Sequence, residues 1–67
     1  MSDHITRMKQ EHLELGDKIY KLEVFIGDKK SVFHTLDKVD QSLMVEQLAA
    51  MKKYANILDT RIVRATK

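Results

Sequence analysis

The sequence predicts an all-α fold: an antiparallel two-helix hairpin with a short helical elbow, assembled into a homo-oligomer. Three observations carry that prediction. Two long segments without proline set their apolar residues at alternating steps of three and four, the period of one helix face. Between them lies a polar break that opens on Gly27. The chain has only 67 residues and no cysteine, and at that size just roughly 60% of the unfolded surface is buried, so a lone core is marginal.

A disulfide or a Cys/His zinc site would supply the missing stability, but the sequence offers neither. Self-association is the remaining common remedy. The whole chain, 1–67, is read as a single helical-hairpin domain, with helices over about 3–26 and 40–64 and an elbow over about 31–36.

The first helix opens where Ser2 or Asp3 can cap it, a short side-chain oxygen accepting from a free first-turn amide. Its apolar stripe is Ile5, Met8, His12, Leu15, Ile19, Leu22 and Ile26, spaced 3-4-3-4-3-4. Three heptads without a slip favour coiled-coil-like packing. A second face carries Leu13, Tyr20 and Val24, with Phe25 between the two. Glu14 and Lys18 form an i,i+4 pair in the favourable orientation. Gly16 costs about 1 kcal/mol relative to alanine in mid-helix, so either the helix bends there or another backbone approaches it. Gly27 stands where a left-handed C-cap is expected.

The elbow, Ser31-Val32-Phe33-His34-Thr35-Leu36, reads as one helical turn capped by Ser31, with Phe33 and Leu36 turned to the core. Asp37 or Asp40 caps the second helix. Within Leu43–Ile62, a run of strong helix formers, Met44, Leu48, Met51, Ala55, Leu58 and Ile62 draw one stripe. Leu43, Gln47, Ala50, Tyr54, Ile57 and Arg61 draw another beside it, both spaced 4-3-4-3-4. One stripe suffices for the hairpin, so the second is expected to face other subunits. Arg61 and Arg64 suit the negative end of the helix dipole.

Charge and motif content exclude several functions. Twelve basic against ten acidic side chains leave a net charge of +2, weak support for binding duplex nucleic acid. The opening residues lack the apolar core of a signal peptide, and nothing approaches the ~18 apolar residues of a membrane span. The expectation is a soluble intracellular protein with no membrane partner. The three histidines, His4, His12 and His34, form no HExxH or i,i+4 pair, and no base stands beside a nucleophile. No catalytic residue, metal ligand or cofactor is therefore expected, and the chain is not read as an enzyme.

The polar and charged residues on patterned faces remain. His12 in the seam either fixes helix register or offers a flat ring to a base or phosphate. Lys29-Lys30 and Lys52-Lys53 are solvated surface by default, but a lysine at the turn can reach a phosphate held by a neighbouring subunit. Tyr20 and Tyr54 fit interface positions. Arg61 either satisfies the helix end or, if copies converge at an oligomer axis, binds anions between them, for which a guanidinium is well suited.

In order, Arg7-Met8-x-x-Glu11, Leu15, Lys18-Ile19-x-Lys21-Leu22-x-x-Phe25-Ile26, Leu43, Gln47-Leu48-x-x-Met51-x-x-Tyr54 and Leu58-x-x-Arg61-Ile62 resemble the small helical-hairpin proteins of bacteriophages. Those include the anti-CBASS cyclic-oligonucleotide sponges, and a similar hairpin occurs in phage sponges that block Thoeris signalling. The resemblance covers about residues 5–62. It implies a homohexamer, active in the cytoplasm of the infected bacterial host, that captures cyclic oligonucleotides without cleaving them. By the same resemblance, cyclic dinucleotides such as cGAMP bind between protomers through an N-terminal ring and a lysine near the turn. Arg7, His12, Phe25 and Lys29 or Lys30 are the residues so implied, His12 standing where the family has a tyrosine. A separate threefold site for cyclic trinucleotides implicates Arg61. The competing reading is a helical oligomerisation or adaptor protein without a ligand, and a DNA-binding regulator ranks third on the modest charge.

Overall fold

The computed structural model describes residues 3–67. Helix α1 spans Asp3–Gly27, a single 3-10 turn spans Val32–Thr35, and helix α2 spans Lys38–Ala65. The two helices run antiparallel, and the elbow packs mainly on α1. The protomer is a rod, 48 × 17 × 14 Å, with a radius of gyration of 15.0 Å; a globular chain of this length would come near ~11 Å. A rod this thin has little interior.

What interior there is follows the two expected stripes. Every member of the Ile5–Ile26 stripe and every member of the Met44–Ile62 stripe is buried or half-buried. The most enclosed are Met8, Leu15 and Leu58, joined by Phe33 from the elbow, and Leu58 alone is completely buried. Burying such a leucine contributes about 1.5–3 kcal/mol. The companion stripe on α2 stays in solvent: Leu43, Gln47, Ala50, Tyr54, Ile57 and Arg61 are all exposed. Leu13, Tyr20 and Val24 on α1 are equally open.

Three hydrogen bonds from two side chains tie the elbow to the helices. Gln41 donates its side-chain amide to the carbonyls of Phe33 at 3.2 Å and Leu36 at 3.0 Å. Ser31 Oγ donates to the Phe25 carbonyl. Ser31 therefore occupies the cap position without capping, because its hydroxyl is turned back onto α1. Asp37 is the cap of α2, accepting from the Asp40 amide at 2.9 Å, which starts that helix at Lys38 rather than at residue 40. The alternative cap Ser2 lies outside the described residues.

Two local expectations, at Gly27 and Glu14, are corrected, and a third, at Gly16, is narrowed. Gly27 has no left-handed conformation. The Asp28 amide still bonds the Val24 carbonyl at 2.9 Å, so the i→i−4 ladder runs past Gly27 and needs no left-handed residue to end it. Gly16 meets nothing within 4 Å of where a Cβ would sit, so no backbone of the same chain explains it. Glu14 accepts from Gln10 at 3.0 Å instead of pairing with Lys18, and the ion pair within α1 is Lys21 with Asp17 at 3.0 Å.

Candidate functional site

The sequence-predicted residues divide between the two ends of the rod. At the open end, the last turns of α2 meet the first turns of α1. There Arg61, Arg64 and Ala65 face His4 and Met8 around a shallow cavity of about 330 Å³. Both arginines are exposed, and neither has a carboxylate within ion-pair distance among the described residues. Two guanidinium groups without a counter-charge beside an imidazole form a place suited to a phosphate. Arg7 is exposed next to Met8, near the same end.

At the elbow end, Lys29 and Lys30 are exposed in the turn. The Lys30 amide donates to Asp28 Oδ1 at 2.9 Å, which fixes the turn. Phe25 is half-buried and meets Phe33 edge-on, with centroids 6.2 Å apart and planes at 80°. Phe33 meets His34 the same way at 5.2 Å. Phe25 thus belongs to the aromatic packing of the elbow.

His12 lies between the two ends, half-buried in the α1 seam. The rise of about 1.5 Å per residue puts roughly 22 Å of helix between His12 and Gly27, the last residue before the turn. Arg7 and His12 therefore cannot share one small ligand with Lys29 or Lys30 of the same chain. Within one protomer the expected dinucleotide residues are not brought together.

Arg64 and His4 were missed as companions of Arg61. The i,i+3 spacing of the two arginines was visible in the sequence; that His4 meets them depends on how far the two helices run. Also unforeseen was the use of Tyr54, whose hydroxyl donates to the Glu11 carboxylate across the hairpin. Lys52 is likewise more than solvated surface, pairing with Glu23 at 2.6 Å. Among the described residues no cluster of His, Cys, Asp or Glu could hold a metal ion, and no helix is long and apolar enough to cross a membrane.

A family model described as Sequestin matches residues 2–64. The chain is also similar to an uncharacterized 7.5 kDa protein in the denB-rIIB intergenic region of Enterobacteria phage T4. The two are 38% identical over 58 residues, covering 87% of this chain and 88% of the relative. No solved structure matches. The family's name denotes sequestration, which is binding rather than catalysis, and its phage relative agrees with the phage hairpins that the residue pattern resembles. By the extent of both matches, the chain belongs to the Sequestin family.

Proposed function

We propose that the protein is a phage anti-defence sponge. It binds cyclic oligonucleotide second messengers, both cyclic dinucleotides and cyclic trinucleotides, and holds them uncleaved, so that CBASS-type immune signalling stops. It acts as a homohexamer in the cytoplasm of the infected bacterial host. The observation that carries this reading is the open-end cluster of Arg61, Arg64 and His4, on a Sequestin-family hairpin whose outer stripe also exposes Leu43, Tyr54 and Ile57.

The chemistry fits the ligand class. A cyclic oligonucleotide offers two or three phosphates and as many flat bases, and guanidinium, ammonium and imidazole groups meet both. Arg61 is the trinucleotide-binding residue, with copies converging where the Leu43–Arg61 stripes of several protomers meet. Arg7 and His12 of one copy and Phe25, Lys29 and Lys30 of another form the dinucleotide site, each half from a different copy. A sponge must outcompete the receptor, which asks for nanomolar capture or tighter, about −12 kcal/mol. Rigid helices carrying the groups limit the ordering cost of binding.

The test is calorimetric titration of the purified protein with a panel of cyclic di- and trinucleotides, followed by heating and recovery of the ligand. Tight, saturable binding with intact ligand released is the expected result. No binding across the panel would overturn the proposal and leave the oligomerisation or adaptor reading; cleaved ligand would overturn capture without turnover.

A further inference from the structure

The chain's two glycines, Gly16 and Gly27, lie on the same outer face of α1, and neither is required by the fold of the protomer. Neither has a positive φ, and neither has a neighbour within 4 Å of a Cβ. Between and around them stand Leu13, Tyr20 and Val24, which are 69%, 65% and 49% exposed. Read along the helix, the face runs Leu13, Gly16, Tyr20, Val24, Gly27. Its sizes are self-complementary about Tyr20: Leu13 and Gly27 are each seven residues from it, and Gly16 and Val24 are each four.

From this we infer that α1 crosses the α1 of a second copy antiparallel, on a twofold axis at Tyr20. In that register Val24 of each copy fills the space over Gly16 of the other, Leu13 lies over Gly27, and the two Tyr20 rings meet on the axis. A twofold contact is isologous, so one self-complementary face suffices. Charge agrees with shape. Asp17 precedes Tyr20 and Lys21 follows it, both largely exposed, so an antiparallel copy sets each acid beside the other copy's base. Glycine at the crossing gives its mid-helix cost of about 1 kcal/mol a reason that the protomer lacks.

This seam rests on the homo-oligomer in the proposed function and deepens it. The same register carries the turn of one copy, with Lys29, alongside His12 of the other, so each dinucleotide site is completed by the second copy. The seam also lies on the face opposite Arg61. Leu13, Gly16, Tyr20 and Gly27 each follow a seam residue of α1, on the side of the Glu23–Lys52 pair. Arg61 shares the Tyr54 stripe, on the side of the Tyr54–Glu11 bond.

Two variants test the seam without reference to any ligand. Gly16→Leu sets a Cβ where the protomer has no atom within 4 Å, on an exposed position, and favours helix, so helicity by circular dichroism is expected to hold or rise while the assembly's mass, by light scattering, falls by half. An assembly of unchanged mass overturns the seam. Tyr20→Cys introduces a single thiol into a chain that has none, and thiols on a twofold axis come within disulfide reach. Rapid conversion to a covalent dimer on mild oxidation is expected, at least tenfold faster than for Glu46→Cys on the outer side of α2. Equal rates, or a wild-type chain that is monomeric, overturn the proposal. Titration of the wild-type protein with cyclic oligonucleotides reads separately: failure to bind sinks the sponge but leaves the seam, whereas binding with an unaffected Gly16→Leu assembly does the reverse.

Discussion

The Tyr54 hydroxyl donates to the Glu11 carboxylate, joining the middle of α2 to the first half of α1. Glu11 immediately precedes the seam residue His12, and Tyr54 immediately precedes Ala55. On the other flank, Glu23 follows Leu22 and Lys52 follows Met51, and these two pair at 2.6 Å. A step of one residue turns a helix by about 100°, so the two polar links lie on opposite sides of the apolar seam. Apolar contact alone is non-directional; a link on each flank resists rotation of either helix about its axis. The outer stripes, and with them Arg61 and Tyr20, are thereby held at defined angles.

Tyr54→Phe keeps the ring and removes only the donor. A hydrogen bond to a charged group contributes about 1.5–3 kcal/mol when well enclosed and a typical one about 0.5–1.5. Tyr54 is 41% exposed, which places its bond in the lower range. The expected loss is about 1 kcal/mol, or roughly 4–8 °C in Tm for a domain of this size. Melting at one fixed protein concentration checks this, since an oligomer's Tm depends on concentration. A Glu11→Gln, Tyr54→Phe double-mutant cycle should return a coupling of similar size; a coupling near zero would show that the two groups act independently.

Leu58→Ala should be the most damaging single truncation. Leu58 alone has no exposed surface, and a fully buried leucine cut to alanine costs about 2–5 kcal/mol through lost burial and the cavity left behind. In a chain this short, that range spans a large part of total stability. Urea unfolding of Leu58→Ala beside Ile57→Ala separates position from chemistry, because Ile57 is 50% exposed in the protomer. Greater loss at Ile57 would mean that the outer stripe, not the seam, holds the assembled protein together.

Both apolar seams were legible because helix geometry alone decides which residues share a face. Asp37 as a cap and Phe33 as an inward residue rested on equally local rules. The misses all depended on something non-local or cooperative. Gly27 looks like a left-handed cap in sequence, yet one more backbone bond from Asp28 keeps the helix right-handed. Tyr54 finding Glu11, and His4 meeting Arg61 and Arg64, depend on the register of the two helices, which the elbow's bonds from Ser31 and Gln41 set. A stripe announces that a residue faces outward; it does not say what that residue meets.

Gln41→Ala tests how far that register depends on the elbow. One side-chain amide serves the carbonyls of both Phe33 and Leu36, and the site is only part-buried, so water can replace it in part. The expected cost is about 1–2 kcal/mol. Hydrogen exchange should then show the amides of 32–41 opening faster while those around Leu15 and Leu58 keep their protection. Uniform loss of protection would instead mean that the hairpin opens as one unit.

Arg61 and Arg64 should separate the two ligand classes. Under the proposed function Arg61 serves the trinucleotide, so Arg61→Ala is expected to weaken trinucleotide binding by roughly 10- to 100-fold, the scale of one charged hydrogen bond, and dinucleotide binding far less. Arg64 lines the same cavity but belongs to the final turn of α2, so Arg64→Ala should give a smaller loss of the same kind. Arg61→Lys keeps the charge but not the bidentate fork, and partial recovery would identify geometry as part of the contribution. Raising salt should weaken the wild type more than Arg61→Ala, because exposed charges are screened. Equal loss of both ligands in Arg61→Ala, with the assembly's mass unchanged, would refute two separate sites and place di- and trinucleotides in one.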